Sequence, residues 1–229
     1  MKYHFIIFFI LTSFLAMGQN EQSNTDWANL EKYAAANKNL KSPSKNEKRI
    51  VFMGNSITEF WPYNDTTFFK INGYINRGIS GQTTPQMLVR FRPDVIALHP
   101  DVVVILAGIN DIAQNTGPIA LEDVMGNIVT MAQLAHFNKI KVVLCSVLPA
   151  IDFDWRPGLE PADKIIRLNS MIKSYCDENQ IVFVDYWSNM QDGHKGLDKK
   201  YSDDGVHPNL AGYKIMELLV QDGIGKALK

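Results

Sequence analysis

The chain has 229 residues, of which 46% are hydrophobic and 21% charged, with 23 basic and 24 acidic side chains and a formal net charge of -1. This length fits one domain with one sizeable core, and the balanced charge argues against a nucleic-acid partner and against a charged membrane-surface partner. The chain has two cysteines, Cys145 and Cys176, and the sequence leaves open whether a disulfide joins them.

Residues 1–18 have the pattern of a secretory signal peptide. A weakly basic start precedes an apolar run over residues 5–16, and Ala16-Met17-Gly18 has the small-x-small form of a cleavage site. The run is shorter than the ~20 apolar residues that span a bilayer, and no cysteine near the cleavage point offers lipid attachment. We expect a secreted or periplasmic protein, not a lipoprotein, with no stable membrane insertion of the mature chain.

Residues 19–48 form a polar lead-in with one helical stretch at 27–39, and the main domain is predicted over residues 49–229. In that domain, short β-rich runs alternate with helical patterns. Strands are predicted at residues 49–53, 73–76, 102–107, 141–147 and 181–185. Helices are predicted at residues 84–98, with Thr84 as N-cap, through 124–135, at 162–179 and at 209–221.

Alternation of helices with near-continuously apolar strands predicts a parallel sheet that is covered on both faces. The predicted fold class is α/β, a three-layer sandwich around a five-stranded parallel sheet of flavodoxin-like type. In such folds ligands bind at the carboxyl ends of the strands, so the loops that follow the strands should surround the active site.

Polar residues in several of these loops are candidates for catalysis. Ser56 directly follows a strand and Gly54-Asn55, on a tight turn that exposes a nucleophile, although serine is also a common helix N-cap. The backbone N–H of Gly81 and the side-chain amide of Asn110 are candidate donors to an oxyanion. Their structural alternatives are a loop glycine needed for its torsion angles and an Asx turn.

The segment Asp204-Gly205-Val206-His207 is the most specific of these patterns. A separation of three residues lets the Asp204 carboxylate fold back onto the His207 imidazole, which orients a general base and stabilises its charged form. A metal site is disfavoured because no other ligands occur at zinc-like spacing.

Taken together, Gly54-Asn55-Ser56-Ile57-Thr58, Gly78-Ile79-Ser80-Gly81, Gly108-Ile109-Asn110-Asp111 and the Asp204–Pro208 segment resemble the signature blocks of the SGNH hydrolases, the GDSL-like lipases and esterases. The resemblance covers residues 49 to about 219. It implies, by position, Ser56 as nucleophile, His207 as base, Asp204 as its orienting carboxylate, and an oxyanion hole of Ser56 N–H, Gly81 N–H and the Asn110 side chain. The sequence departs from the family pattern at Asn55, where aspartate is usual, and at Gln82, where an acidic residue is frequent.

The resemblance implies ester hydrolysis through an acyl-enzyme, without a metal or organic cofactor. Trp61, Trp155 and Arg156 are candidate substrate contacts, or else anchors of their own loops. Removal of small acyl groups, chiefly acetyl, from carbohydrate is favoured because no long apolar loop suggests an acyl channel. Hydrolysis of lysophospholipids or other long-chain esters is the alternative, and a catalytically silent carbohydrate-binding protein is disfavoured because all five catalytic-type residues are present.

Overall fold

The computed structural model describes residues 26–229, so the predicted signal peptide and the first residues of the lead-in lie outside the described part of the chain. The strands are β1 Ile50–Gly54, β2 Ile75–Gly78, β3 Val102–Leu106, β4 Lys141–Cys145 and β5 Val182–Val184. They form one five-stranded parallel sheet in the order β2-β1-β3-β4-β5. The predicted α/β fold class with a five-stranded parallel sheet is confirmed.

The helices surround this sheet and include four short ones that periodicity did not predict. They are α1 Ala34–Asn39, α2 Ser56–Asn64, α3 Phe68–Asn72, α4 Thr84–Asp94, α5 Ile109–Ile112, α6 Leu121–Phe137, α7 Ala162–Asn179, α8 Tyr186–Met190 and α9 Leu210–Ala227, with a 3-10 turn at Ile96–Leu98. Helix α7 has its predicted bounds, whereas α9 continues six residues beyond the predicted end at 221. The four unpredicted helices, α2, α3, α5 and α8, are too short to show a helical period.

The core consists of two apolar layers, one on each face of the sheet. On the central strand β3, Val103 and Ile105 face α4, α6 and α7, while Val102, Val104 and Leu106 face α2, α3, α8 and α9. Alternate side chains of a strand point to opposite faces, so a strand buried on both faces must be apolar throughout. This arrangement is the predicted three-layer sandwich.

The lead-in packs against the edge of the sheet. The Tyr33 hydroxyl donates to the Gly78 carbonyl at the end of β2, and the Asn37 side chain donates to Asp94 at 2.7 Å and accepts from Arg77 Nε at 2.9 Å. Only Ala34–Asn39 of the predicted 27–39 stretch is helical, since turns precede it. The lead-in therefore covers the edge strand β2. Its polar composition did not predict this packing.

The cysteines lie on opposite sides of the sheet. Cys145 belongs to the apolar layer under α9 and Cys176 to the layer under α7, and both are buried and unpaired. Burial raises the pKa of each thiol to about 12. In this structure no disulfide joins Cys145 and Cys176, which the sequence had left open.

Within residues 26–229, no helix combines the length and the apolar character needed to cross a membrane.

Candidate active site

Ser56 lies at a sharp strand-to-helix turn at the carboxyl edge of the sheet. Strand β1 ends at Gly54, and Asn55 is the N-cap of α2, with its side chain accepting the Ile57 N–H at 3.2 Å. A Cβ at Gly54 would collide with the Thr58 side chain, so the turn requires glycine at that position. The turn places Ser56 at the first position of α2, where its hydroxyl can meet the loop before α9.

The structure brings Ser56, His207 and Asp204 together in one hydrogen-bonded series. Ser56 Oγ lies 3.0 Å from His207 Nε2, and His207 Nδ1 lies 2.7 Å from Asp204 Oδ2. A carboxylate can only accept, so Nδ1 carries the proton and Nε2 is left to accept the serine hydroxyl proton. This is the geometry of a nucleophile, a base and a carboxylate that orients the base.

The loop that carries His207 is held by hydrogen bonds of its own. Asp204 Oδ1 accepts the N–H groups of Val206 at 2.8 Å and His207 at 2.7 Å, and Ser202 Oγ donates to the His207 carbonyl at 2.7 Å. Burial raises the pKa of Asp204, but hydrogen bonds from the His207 backbone and imidazole and from Val206 N–H outweigh it, so the pKa lies below its usual value. Asp204 is therefore ionised at neutral pH. Sequence reasoning missed Ser202, a small polar residue with no distinguishing pattern.

The two predicted oxyanion donors lie on loops that flank Ser56. Gly81 follows β2 and Asn110 follows β3, the two strands on either side of β1. Gly81 has φ +76°, a left-handed conformation that favours glycine, and nothing stands within 4 Å of the place of a Cβ. Asn110 Nδ2 donates one hydrogen to the Gln82 carbonyl at 3.0 Å. Its other amide hydrogen has no acceptor among residues 26–229.

Comparison with known proteins identifies the family. The model of the GDSL-like lipase/acylhydrolase family matches residues 52–215. The chain belongs to this family. Membership implies a hydrolase of esters, and the matched span contains the turn at Ser56 and the loop with Asp204 and His207. No curated protein matches the sequence of this acylhydrolase.

Two solved structures are similar to this chain in both sequence and fold, and a third is similar in fold. A candidate acylhydrolase from Bacteroides fragilis NCTC 9343 is 54% identical with a TM-score of 0.87, covering 89% of this chain and 99% of its own. A GDSL-like lipase from Bacteroides thetaiotaomicron VPI-5482 is 53% identical with a TM-score of 0.86, covering 87% of this chain and 98% of its own. An acetylxylan esterase from Geobacillus stearothermophilus, 21% identical with a TM-score of 0.65, covers 81% and 96% respectively and is similar in fold alone.

A buried arginine of the acylhydrolase connects the turns around the site, and sequence reasoning missed it. Arg90 of α4 is fully buried and donates to the Gly54 carbonyl at 2.9 Å, the Arg77 carbonyl at 2.8 Å and Asp94 at 3.0 Å. Its Nε also donates to the side chain of Gln82. One guanidinium thus satisfies groups at the nucleophile turn, at the end of β2 and in the Gly81 loop, which is the geometry its planar set of donors permits. An arginine between apolar residues of a helix was the only available signal.

The start of α4 differs from the prediction. The N-cap is Thr83, whose N–H donates to the Gln86 side chain at 3.1 Å, and Thr84 is the first helical residue. Thr84 instead donates its N–H and its hydroxyl to Asp111, at 3.0 Å and 2.6 Å. Burial raises the pKa of Asp111. Because it accepts both hydrogen bonds from Thr84, Asp111 holds the loop after β3 against α4.

The prediction of Trp61 as a substrate contact is wrong. Trp61 is only 1% exposed and stacks on Phe68 with ring centroids 5.3 Å apart, while its Nε1 donates to Glu217 at 3.3 Å. A side chain enclosed by the core cannot reach a ligand. Its neighbour Phe60, which sequence reasoning missed, is partly exposed and lies 5.7 Å from the His207 ring instead.

The other two predicted contacts lie on the surface near the base. The Trp155 side chain is 46% exposed, and its ring centroid lies 6.1 Å from that of His207. Trp155 Nε1 donates to Asn115 at 3.2 Å, and exposed Arg156 donates to the Gln114 carbonyl at 3.0 Å. The structure therefore brings Trp155 to the site, while it shows Arg156 fixing the loop after β3.

A cavity of about 650 Å³ lies away from these residues, at the amino ends of β4 and β5, and is lined partly by Phe137 and Tyr175. Its position at the opposite end of the strands separates it from the catalytic-type residues. Among residues 26–229, no three His, Cys, Asp or Glu side chains are grouped so that they could hold a metal ion.

Proposed function

We propose that the chain is a secreted serine ester hydrolase that removes small acyl groups, chiefly acetyl, from carbohydrate. The observation that carries the proposal is the series from Ser56 Oγ to His207 Nε2 at 3.0 Å and from His207 Nδ1 to Asp204 at 2.7 Å. Family membership supports the ester bond as the target. Secretion is supported by the signal-peptide pattern of residues 1–18.

In the proposed first half-reaction, Ser56 Oγ attacks the ester carbonyl carbon while His207 Nε2 takes the hydroxyl proton. The carbonyl oxygen becomes an oxyanion that accepts hydrogen bonds from the N–H groups of Ser56 and Gly81 and from the Asn110 amide. The ionised Asp204 stabilises the imidazolium. The intermediate then collapses, His207 protonates the leaving alcohol oxygen, and the acyl group remains on Ser56.

In the second half-reaction a water molecule replaces the alcohol. His207 takes one proton of the water as its oxygen attacks the acyl carbon, and the same oxyanion donors hold the second tetrahedral intermediate. Collapse returns the proton from His207 to Ser56 Oγ and releases the carboxylic acid. Every proton transfer uses the one imidazole, so the chain's own residues supply all the groups that these steps need.

A small acyl group and a sugar fit the surroundings of Ser56. The loops after β2 and β3 present Ser80, Gly81, Asn115 and Thr116, which offer little apolar surface to a long acyl chain. The half-exposed ring of Trp155 beside His207 offers an aromatic face of the kind that packs on sugar rings. That an acetylxylan esterase has the same fold is consistent with a sugar ester.

The dependence of kcat/KM on acyl-chain length tests this proposal. With aryl esters from acetyl to octanoyl, we expect kcat/KM to be highest for acetyl or propionyl and to fall beyond butyryl. In a true acyl channel, each buried methylene would add up to ~0.8 kcal/mol to the binding free energy of the acyl chain. The polar loops here provide no such burial. Steady-state kinetics across the series measures the trend.

Two results would contradict the proposal in different ways. A preference of tenfold or more for octanoyl esters or lysophospholipids identifies a long-chain ester hydrolase. Absence of turnover with every ester, in a folded protein, contradicts the hydrolase and leaves the silent carbohydrate-binding protein as the alternative.

A further inference from the structure

The lead-in forms one wall of an open cleft beside the proposed catalytic residues. The cleft has a volume of about 460 Å³ and lies between the lead-in at residues 26–31, the loop at residues 79–82 that follows β2, and residues 115–116 after β3. This volume is in the range of small-molecule sites, roughly 300–1,000 Å³. The mechanism above uses only one residue that lines this cleft, Gly81.

The cleft begins at the predicted oxyanion loop. Gly81 lines the cleft, and its carbonyl accepts from Asn115 Nδ2 at 3.1 Å. The Asn115 side-chain oxygen in turn accepts from Trp155 Nε1 at 3.2 Å, and the Trp155 ring lies 6.1 Å from that of His207. A ligand in the cleft is therefore next to groups that contact the proposed reaction centre.

The wall formed by the lead-in is held in place by hydrogen bonds. Gln82 Nε2 donates to the Ala28 carbonyl at 2.7 Å, and Gln86 Nε2 donates to the Trp27 carbonyl at 2.8 Å. The Asp26 carboxylate accepts two backbone N–H groups of the following turn, at 2.7 Å and 2.9 Å. Trp27 is nevertheless 50% exposed, so its indole faces solvent from a fixed backbone, which lowers the entropic cost of binding a ligand.

The side chains of the cleft indicate what kind of ligand fits. Among residues 26–229, no lysine, arginine or histidine lines the cleft, and Asp26 and Glu31 give it negative charge. The side chains of Asn29, Glu31 and Ser80 are exposed and make no hydrogen bond within the described part of the chain. An aromatic face beside the neutral Asn29 amide and Ser80 hydroxyl suits a polyhydroxylated ring, while the carboxylates repel anions.

We propose that this cleft binds the uncharged sugar portion of the ester, with Trp27 packing on a sugar ring. The inference rests on the proposed hydrolase function for its substrate but adds a binding site and its charge preference. It makes the lead-in part of the substrate site as well as the cover of edge strand β2. Trp27 is a binding residue in this proposal and takes no part in the chemistry at Ser56.

The Trp27→Ala variant of the full chain tests the proposal. For an acetylated xylo-oligosaccharide we expect KM to rise about tenfold with kcat little changed, because the lost packing is the same in the ground and transition states. For ethyl acetate, which has no sugar ring to pack on Trp27, kcat/KM should stay within about twofold of the wild-type value. Trp27→Phe should keep most of the affinity. As a matched control, Phe137→Ala removes an aromatic side chain that is 85% exposed on α6. This change should leave the kinetic parameters for both substrates unaltered.

A binding measurement separates this proposal from the proposed reaction. Calorimetry with unmodified xylohexaose on the Ser56→Ala variant should show binding that the added Trp27→Ala change weakens about tenfold. Binding of that kind without turnover in the wild type would support the cleft and contradict the hydrolase. Equal losses for ethyl acetate and the oligosaccharide, or unchanged xylohexaose binding without the Trp27 indole, would overturn the cleft while leaving the hydrolase intact.

A second variant tests the charge preference. Wild type should bind xylohexaose more tightly than an oligogalacturonide of equal length, and Glu31→Gln should narrow that difference at low ionic strength. An oligogalacturonide that binds as well as xylohexaose to the wild type would contradict the predicted exclusion of anions.

Discussion

Replacing Ser56 with alanine is expected to lower kcat/KM for an aryl acetate by roughly 10⁴- to 10⁶-fold. Without Oγ no acyl-enzyme can form through Ser56, and what remains is the stabilisation that the proposed oxyanion donors would give to attack by water. The fold should persist, because the only side-chain hydrogen bond of Ser56 among residues 26–229 is the one to His207. Initial rates and a thermal unfolding curve measure the two effects.

A matched control for this variant is Ser170→Ala. Ser170 is an exposed serine on α7 whose side chain makes no hydrogen bond among residues 26–229, and its loss should leave both rate and melting temperature unchanged. Retention of more than a hundredth of the wild-type rate by Ser56→Ala would show that another group is the nucleophile.

The Asp204→Asn change is expected to lower kcat by roughly 10²- to 10⁴-fold. The amide oxygen can still accept the N–H groups of Val206 and His207 that shape the loop, so the loop should keep its form. What is lost is the negative charge that selects the Nδ1–H tautomer of His207 and stabilises the imidazolium. Steady-state kinetics at constant pH measures the fall.

The neighbouring residue gives the control for Asp204. Asp203 is exposed and makes no side-chain hydrogen bond in the described part of the chain, so Asp203→Asn removes the same charge one residue away. Its kcat should equal that of the wild type. Equal rate losses in the two variants would indicate a general electrostatic effect and not a specific pairing with His207.

The sheet could be predicted from sequence because a strand buried on both faces appears as a continuous run of apolar residues. Each strand with helices above and below must be apolar throughout, as Val102–Leu106 is, and the loops after such strands are then known to share one edge. The predicted meeting of Ser56, Asp204 and His207 followed from that edge together with the order of the family's motifs.

The remaining features depend on contacts that no local pattern records. Phe60 and Trp61 are adjacent, and a helical step of about 100° turns one towards His207 and the other into the core, a direction that a helix too short to show a period does not reveal. Arg90 gains its role only because three distant loops converge on it. The lead-in packs through hydrogen bonds of Tyr33 and Asn37, which hydrophobic periodicity cannot detect.

Covalent trapping tests the central claim, that Ser56 is the nucleophile, most directly. After reaction with a serine-directed aryl phosphonate, mass spectrometry of proteolytic peptides should find one adduct, on Ser56, with loss of activity in proportion to labelling. The Ser56→Ala variant should remain unlabelled, because it lacks the activated hydroxyl that reacts fastest with a phosphonate. An adduct on any other residue, or full activity in a protein that carries the label on Ser56, would contradict the account.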